Sequence, residues 1–436
     1  MRVRIVTICA TVLVMGVAGT ASAGAGQAQD GARQTPAKAG AAKADAGRAT
    51  AGTGRTEVGA ALTRSRFSVT NLVSDVGGRA AITDATLVNP WGLAMGKTLW
   101  VSATGTGLAT VYSGGAGGVR QEKTRVRVPG GRPTGQVVNT GEEFVVKGPG
   151  GSGPATFIFA SPSGAITGWN AEADPDDAII GAFVKGADFK GLALARTDRG
   201  AMLLAADFAG DRVHVFDGDF DRIPMGRDAF RDPGLPEDYA PFNVEVVGRS
   251  ILVAYAKRDP GTGKSVAGRG KGFVSQFNGS GRFVGRFAAR GALNAPWAMT
   301  LAPKGFGAHS GALLVGNFGD GRINAYDPRN GRPLGPLRSA DGRPVTLGGL
   351  WDLEPGTAAV GGTNALWFSA GSDGGTHGLL GLIRPAGAGG SSSPPNASPS
   401  PASSHPSSHN SGNSNTSGGS NNSGGRGDSG GSGYGY

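Results

Sequence analysis

Short runs of alternating apolar and polar residues, separated by turns rich in glycine, aspartate and asparagine, fill the middle of this 436-residue chain. In the stretch 212–217, Val213 and Val215 alternate with polar neighbours before the run ends in Phe216 and Asp217. Alternation with a period of two residues is typical of a half-buried β-strand. No long segment shows the 3.6-residue period of an amphipathic helix. The pattern therefore predicts an all-β fold.

One unit of such strands recurs six times. Each unit opens with a short apolar strand, often introduced by proline and an aromatic residue, and continues with a strand that ends in Asp or Asn. The units begin at residues 89, 133, 190, 241, 295 and 349, so their starts are 44 to 57 residues apart. Four short strands fit that length, which is one blade of a β-propeller. We predict a six-bladed β-propeller of four-stranded blades, with five or seven blades as the alternatives if a unit is miscounted.

The two ends of this repeat complement each other. The last unit ends near Ile383 after three strands, and an unassigned strand, FSVTNLV at 67–73, precedes the first unit. Pairing them would remove an open sheet edge and tie the ends of the ring together. The sequence therefore predicts that the N-terminal strand closes the last blade.

Composition separates the chain into four segments. Residues 1–23 combine two arginines, an apolar run and the sequence Ala-Ser-Ala, which predicts a secretory signal peptide cleaved after Ala23. Residues 24–64 have almost no large apolar side chains and predict a disordered linker. Residues 65–385 carry the repeat, and residues 386–436 predict a disordered Gly/Ser/Asn/Pro-rich tail. We therefore expect a secreted, extracellular protein.

Charge and cysteine content exclude several functions. The formal net charge is +10, but the basic residues of the repeat region are scattered, so we expect no nucleic-acid partner. The single cysteine, Cys9, would leave with the signal peptide, which excludes thiol chemistry. The apolar run near it is shorter than the ~20 residues that a membrane span needs. We expect a monomer with no transmembrane segment in the mature chain.

Four segments carry a resemblance to a known group: Asn89–Ala94, Asp238–Val244, Leu293–Trp297 and Leu314–Asp327. Together they resemble an uncharacterised family of secreted bacterial β-propeller proteins that is distantly similar to NHL-repeat propellers. The resemblance spans essentially all of 65–385. It implies the propeller fold and no established activity. Some relatives end in a hydrophobic sorting segment, whereas this chain ends in its polar tail.

A metal site is one hypothesis, because six-bladed lactonases and lyases hold Ca²⁺ or Mg²⁺ at one end of the channel with oxygen ligands from several blades. The positions that match here are Asn89, Asp207, Asn243, Asn317 and Asp352. Such a metal would activate water or polarise a carbonyl. The alternative is that these residues cap turns and strand ends.

Aromatic and histidine side chains suggest two further candidates. Four units place an aromatic residue at the same position, namely Trp91, Phe242, Trp297 and Trp351. These rings could face solvent and bind a glycan, a peptide or a small molecule, or they could pack between blades. His377, near Asp373, is the candidate catalytic base, with a structural histidine as the alternative.

Three functions are consistent with these features. The first is a secreted, non-catalytic propeller that binds an extracellular or cell-envelope ligand. The second is a divalent-metal-dependent lactonase, esterase or lyase with its site in the central channel. The third is a structural role in which the tail extends from, or is embedded in, an extracellular matrix.

Overall fold

The computed structural model describes residues 65–198 and 200–387. The predicted signal peptide, the predicted linker and all but the first two residues of the predicted tail lie outside the described residues. Besides strands, the described part contains a 3₁₀-helix at Gly307–His309 and a single helical turn at Ser372–Gly375. Neither of these is long and apolar enough to cross a membrane.

Twenty-seven β-strands make up the rest of the regular structure in the described residues. In chain order they are β1 (Phe67–Ser74), β2 (Ile82–Thr83), β3 (Pro90–Met95), β4 (Leu99–Ala103), β5 (Leu108–Gly115), β6 (Gly118–Arg127), β7 (Gln136–Val138), β8 (Val145–Gly148), β9 (Gly151–Pro154), β10 (Phe157–Ala160), β11 (Ala165–Trp169), β12 (Ile179–Phe183), β13 (Phe189–Thr197), β14 (Gly200–Asp207), β15 (Arg212–Phe216), β16 (Arg222–Ile223), β17 (Tyr239–Val247), β18 (Ser250–Lys257), β19 (Gly272–Phe277), β20 (Phe283–Ala289), β21 (Pro296–Leu301), β22 (Leu313–Asn317), β23 (Ile323–Tyr326), β24 (Pro333–Pro336), β25 (Leu350–Pro355), β26 (Leu366–Gly371) and β27 (His377–Pro385).

These strands form a six-bladed β-propeller, as predicted. Five blades have four strands each, ordered β3-β4-β5-β6, β7-β10-β11-β12, β13-β14-β15-β16, β17-β18-β19-β20 and β21-β22-β23-β24. The sixth has five strands, ordered β25-β26-β27-β1-β2. A separate hairpin, β8-β9, is inserted in the second blade.

The predicted closure of the last blade is confirmed. Strand β1 runs antiparallel to β27, from Phe67 opposite Pro385 to Ser74 opposite Leu379. The first and last strands of the ring therefore share one ladder of backbone hydrogen bonds. Phe67 is buried, so the closing strand also contributes to the hydrophobic core.

The hydrophobic core lies between neighbouring blades. Between the third and fourth blades, for example, Leu204 and Val215 belong to one buried cluster with Val253 and Tyr255. Removing such side chains from water stabilises the fold by roughly 1.5–3 kcal/mol for each large apolar residue. The ring is thus held together mainly by blade-on-blade packing.

The innermost strand of five blades carries an irregularity at the same place. Strand pairing shifts register within β3, β13, β17, β21 and β25, each time near the start of the strand. A bulge leaves a residue out of the ladder and re-aims its side chain. The bulged segments contain the large side chains that meet at the axis of the ring, namely Trp91, Lys190, Phe242, Trp297 and Trp351.

Candidate functional site

Four aromatic side chains close the central channel near the start of the inner strands. Trp91 stacks on Trp351 with ring centroids 3.4 Å apart. Trp297 is in edge-to-face contact with both rings, and its ring centroid lies 6.3 Å from that of Trp91 and 6.0 Å from that of Trp351. Phe242 lies 6.0 Å from Trp351. We call these four residues the aromatic plug.

The plug corrects the prediction of a solvent-facing aromatic surface. Its four rings are only 0–2% exposed. The bulges turn rings from four different blades towards one narrow axis, where they cover each other and exclude water. The structure therefore favours the packing interpretation for these residues.

A charged side chain completes the plug in the third blade. Lys190 occupies the equivalent bulge, and its Nζ lies 5.4 Å from the centroid of the Trp91 ring. The same ammonium lies 2.9 Å from Asp188 Oδ1. An ammonium over an indole face is a favourable cation–π arrangement. The electrostatics of the plug thus already accommodate a positive charge.

Beyond the plug, the channel contains a cavity of about 280 Å³ lined by all six inner strands. Three carboxyl groups line this cavity: Glu245 on β17 and both Asp352 and Glu354 on β25. They are the ionisable side chains among its described lining residues. We call the cavity the acidic chamber. The lining also includes inner-strand residues whose apolar side chains pack into the clusters between blades, namely Leu93, Met95, Val138, Leu192, Leu194 and Met299.

The chamber perturbs all three carboxyl groups. Desolvation by the surrounding protein raises the pKa of Asp352 to about 7, although the backbone N–H groups of Leu93 and Leu353 each donate to it at 2.8 Å. Desolvation, with the nearby charge of Asp352, raises the pKa of Glu245 to about 8. The same causes raise the pKa of Glu354 well above its ordinary range, with Glu245 adding to the effect. Near neutral pH the carboxyl groups of Asp352 and Glu245 are therefore partly protonated.

The carboxyl groups have no internal counter-ion. None of the three forms an ion pair with any residue in 65–198 or 200–387. All three are half-buried, and partial protonation lowers the cost of holding their charges close together. The chamber consequently combines three acidic groups with no cationic side chain paired to them in the described residues.

Gln136 also lines the chamber, and its side chain is buried. Its side chain is 5% exposed, and Nε2 donates to the carbonyl oxygens of Gly92 at 2.7 Å and Trp100 at 2.6 Å. These two bonds fix the orientation of the amide. The Oε1 atom is left without a hydrogen-bond donor. A buried acceptor of this kind is normally satisfied by a partner.

The five predicted metal ligands do not gather at one point of this site. Asn243 and Asp352 line the acidic chamber, whereas Asp207 and Asn317 end the strands β14 and β22. Asp207 accepts the N–H groups of Asp188 and Gly210, each at 2.9 Å. Within the described ranges, no group of three or more His, Cys, Asp and Glu side chains is arranged to hold a metal ion.

The amide side chains in that set are engaged in similar ways. Asn317 Oδ1 accepts the Asn294 N–H at 3.1 Å, and Asn243 Oδ1 accepts the Val244 N–H at 2.9 Å. Asn89 Oδ1 accepts the indole N–H of the plug at 3.2 Å. Oxygens used in this way cap strand ends and bulges, which favours the capping interpretation, and the metal site stays a prediction.

His377 lies outside the chamber and is paired with an unexpected residue. Its Nδ1 is 2.8 Å from Asp75 Oδ2, and Asp75 Oδ1 accepts the Gly378 N–H at 2.8 Å. Asp373, the neighbour noted in the sequence, forms its ion pair with Arg79. A carboxylate that orients an imidazole suits either a base or a structural histidine, so the catalytic role stays a prediction.

Two of the three chamber residues, Glu245 and Glu354, escaped the sequence analysis. Each follows an apolar residue within a predicted inner strand, as Val244 and Leu353 precede them. Acidic residues within an apolar strand are uncommon, because the neighbouring positions are normally buried. That signal could have identified both glutamates.

No family model matches the chain. Two uncharacterized proteins of Acanthamoeba polyphaga mimivirus, R648 and L690, are similar to it, with 34% and 33% identity over 331 and 332 residues. The alignments cover 73% of this chain in both cases, and 80% and 85% of the viral proteins. Among solved structures, a streptogramin B lyase and virginiamycin B lyase from Staphylococcus aureus align at 10% identity, with TM-scores of 0.42 and 0.41. These alignments cover 74% and 73% of this chain and 99% of each lyase.

Proposed function

The chain belongs to the family of the mimivirus proteins R648 and L690, and we propose that it is a non-catalytic binding protein that takes a small organic cation into the acidic chamber. The observation that carries this proposal is the presence of three half-buried carboxyl groups that line one cavity with no counter-ion in the described residues. A bound cation would supply that missing charge.

The walls of the chamber favour an ammonium group on a hydrocarbon body. Trp297 of the plug lines the chamber beside these carboxyl groups, and leucine, methionine and valine residues of the inner strands complete the lining. Aromatic rings attract organic cations. The volume of about 280 Å³ lies near the lower end of ligand-pocket sizes, so the ligand is small.

The alternative predicted from the sequence was a divalent-metal-dependent lactonase, esterase or lyase. The predicted ligands have their oxygens engaged by protein donors, as described above for Asn89, Asp207 and Asn317. A metal ion also needs several oxygen ligands at short, defined distances, whereas an ammonium group tolerates looser carboxylate placement. The donor set therefore supports an organic cation better than a metal centre.

Proton competition gives the proposal a distinctive signature. Because Asp352 and Glu245 have pKa values of about 7 and about 8, both are partly protonated near neutral pH. A cation binds the ionised carboxylates and displaces their protons. Affinity should rise between about pH 6 and about pH 8.5, with proton release on binding.

Isothermal titration calorimetry tests this directly with butylammonium, 1,4-diaminobutane and tetramethylammonium as probes, each at about pH 6 and about pH 8.5. The variant combines Glu245→Gln with Glu354→Gln and should lose binding of every probe. Glu237→Gln, which changes an exposed glutamate elsewhere, is the matched control and should bind like the unaltered protein. Buffers of different ionisation enthalpy measure the released protons.

Two results would overturn the proposal. One is that no probe binds the unaltered protein at either pH, or that the double variant binds as well as the control. The other is that Ca²⁺ or Mg²⁺, titrated in separate experiments, binds at the same carboxylates while the amines do not. That second result would favour the metal-dependent alternative.

We further propose that the protein acts outside the cytoplasm, and the pattern of residues 1–23 supports this location. Recovery of the protein from the culture medium with a mature N-terminus at residue 24 would support it. Cell-retained protein that still begins at Met1 would contradict it.

A further inference from the structure

The channel has a second compartment on the other side of the aromatic plug. Along β25 and the residues before it, Gly348 comes first, then Trp351 of the plug, then Glu354 of the acidic chamber. Along β3 the same order places Asn89 before Trp91. The residues before the plug line a pocket of about 280 Å³ that we call the vestibule. We propose that the vestibule binds a sugar ring of a carbohydrate.

The floor of the vestibule includes an aromatic ring with one supported face. Phe318 is half-buried and lines the vestibule, and its ring stacks on Trp351 at 4.1 Å with an interplanar angle of 22°. Trp351 is held in turn by Trp91 behind it. A rigid aromatic face at the bottom of a small pocket suits the C–H face of a sugar ring, at little cost in side-chain entropy.

Asn89 supplies an unused hydrogen-bond donor beside this ring. Its side chain is 1% exposed and lines the vestibule. The Oδ1 atom accepts the Trp351 indole N–H at 3.2 Å, so the amide orientation is set by a group that can only donate. The Nδ2 group donates to no acceptor in the described chain. A ligand hydroxyl could accept from it.

Asp373 supplies an acceptor at the rim. Its side chain is 55% exposed, lines the vestibule and pairs with Arg79 at 2.7 Å. The guanidinium of Arg79 keeps the pKa of Asp373 below its ordinary value, so the group is ionised and accepts hydrogen bonds from hydroxyls. An aromatic face, a donor and an acceptor around one small pocket match a ring with hydroxyl groups at its edge.

The backbone of the vestibule leaves room for this ring. Most of its remaining lining is glycine, and at Gly371 a Cβ would lie 2.0 Å from Asn89 Oδ1, so packing requires glycine there. Gly348 differs, because a Cβ would meet nothing within 4 Å and its φ is not in the left-handed region. A side chain at residue 348 could therefore obstruct the vestibule without strain in the fold.

These features define the experiment. The unaltered protein is applied to an array of bacterial and plant oligosaccharides, and the best binder is then titrated in soluble form by calorimetry and by tryptophan fluorescence. Gly348→Leu should abolish binding by obstruction, and Phe318→Leu should weaken it about tenfold or more by removing the aromatic face. Phe183→Leu, at a 60% exposed phenylalanine on β12, is the matched control and should not change affinity.

The outcomes separate clearly. Each variant should have the same thermal unfolding midpoint as the unaltered protein. A loss of binding then does not reflect a loss of folding. Glu245→Gln combined with Glu354→Gln should leave sugar binding intact, because the plug lies between the two compartments. The proposal is overturned if no oligosaccharide binds, if Gly348→Leu binds as well as the control, or if an aromatic amide such as N-acetyltryptophanamide binds the vestibule in place of any sugar.

Discussion

Replacing Glu245 with glutamine should stabilise the protein at alkaline pH and leave it unchanged at acidic pH. Enclosure in the acidic chamber raises the pKa of Glu245 from 4.5 to about 8, and that of Asp352 from 3.8 to about 7. In the unfolded chain both groups return to ordinary values near 4. Between about pH 5 and about pH 8 the unfolded state has therefore lost protons that the folded state retains. Stability must fall as pH rises through this window.

The magnitude follows from the size of the perturbation. The difference between about 8 and 4.5 corresponds to about 4 to 5 kcal/mol at ~1.4 kcal/mol per pH unit. Water in the half-open chamber screens the charges, so we expect the Glu245→Gln variant to gain about 1–3 kcal/mol at about pH 8.5. The gain should become small near pH 4.5, where the carboxyl group is protonated in the folded state and only about half ionised in the unfolded chain.

Urea unfolding at several pH values between about 4.5 and 8.5 measures this gain. Two kinds of group affect both proteins equally and cancel in the comparison. Asp327, whose pKa is lowered to about 2, and His309, whose pKa is lowered by burial, are the same residues in both proteins. Glu237→Gln is the control for removing one exposed charge. The reasoning would be refuted if the free energy of unfolding changed with pH in the same way for the variant and the unaltered protein.

Three further predictions concern the fold. Trp351→Ala should lower the free energy of unfolding in urea by about 3–5 kcal/mol, because it empties the centre of the plug. Phe183→Ala, at an exposed site, should change this free energy by less than about 0.5 kcal/mol. Equal effects of the two substitutions would contradict the role of the plug. Gly371→Ala should lower the thermal midpoint by several degrees, since its Cβ would lie 2.0 Å from an amide oxygen, while Gly348→Ala should leave it unchanged. A chain that begins at residue 76, without β1, should lose cooperative unfolding in calorimetry, because β27 is left with an open edge; an unaltered transition would show that closure is dispensable.

The candidate site was only partly accessible from the sequence. The sequence identified Trp91, Trp351 and Asp352 as candidates, because aromatic and Asp or Asn residues recur near the starts of the repeat units. The roles of these residues could not be identified from the sequence, because a bulge decides whether such a side chain faces the axis or a neighbouring blade. Glu245 and Glu354 were missed since one-dimensional patterns do not reveal which strands share a channel.

The sequence by itself determined the six-bladed ring and its closure by the N-terminal strand. Both depend on local and repeated signals: period-two alternation, turn residues and a repeat about as long as one blade. Only the tertiary structure decided that four aromatic residues form a buried plug, that carboxyl groups from two blades meet in one chamber, and that Asn89 turns its oxygen to Trp351 and leaves its nitrogen free. These outcomes depend on distances between residues far apart in the chain, which are set by blade packing and bulges rather than by any local preference.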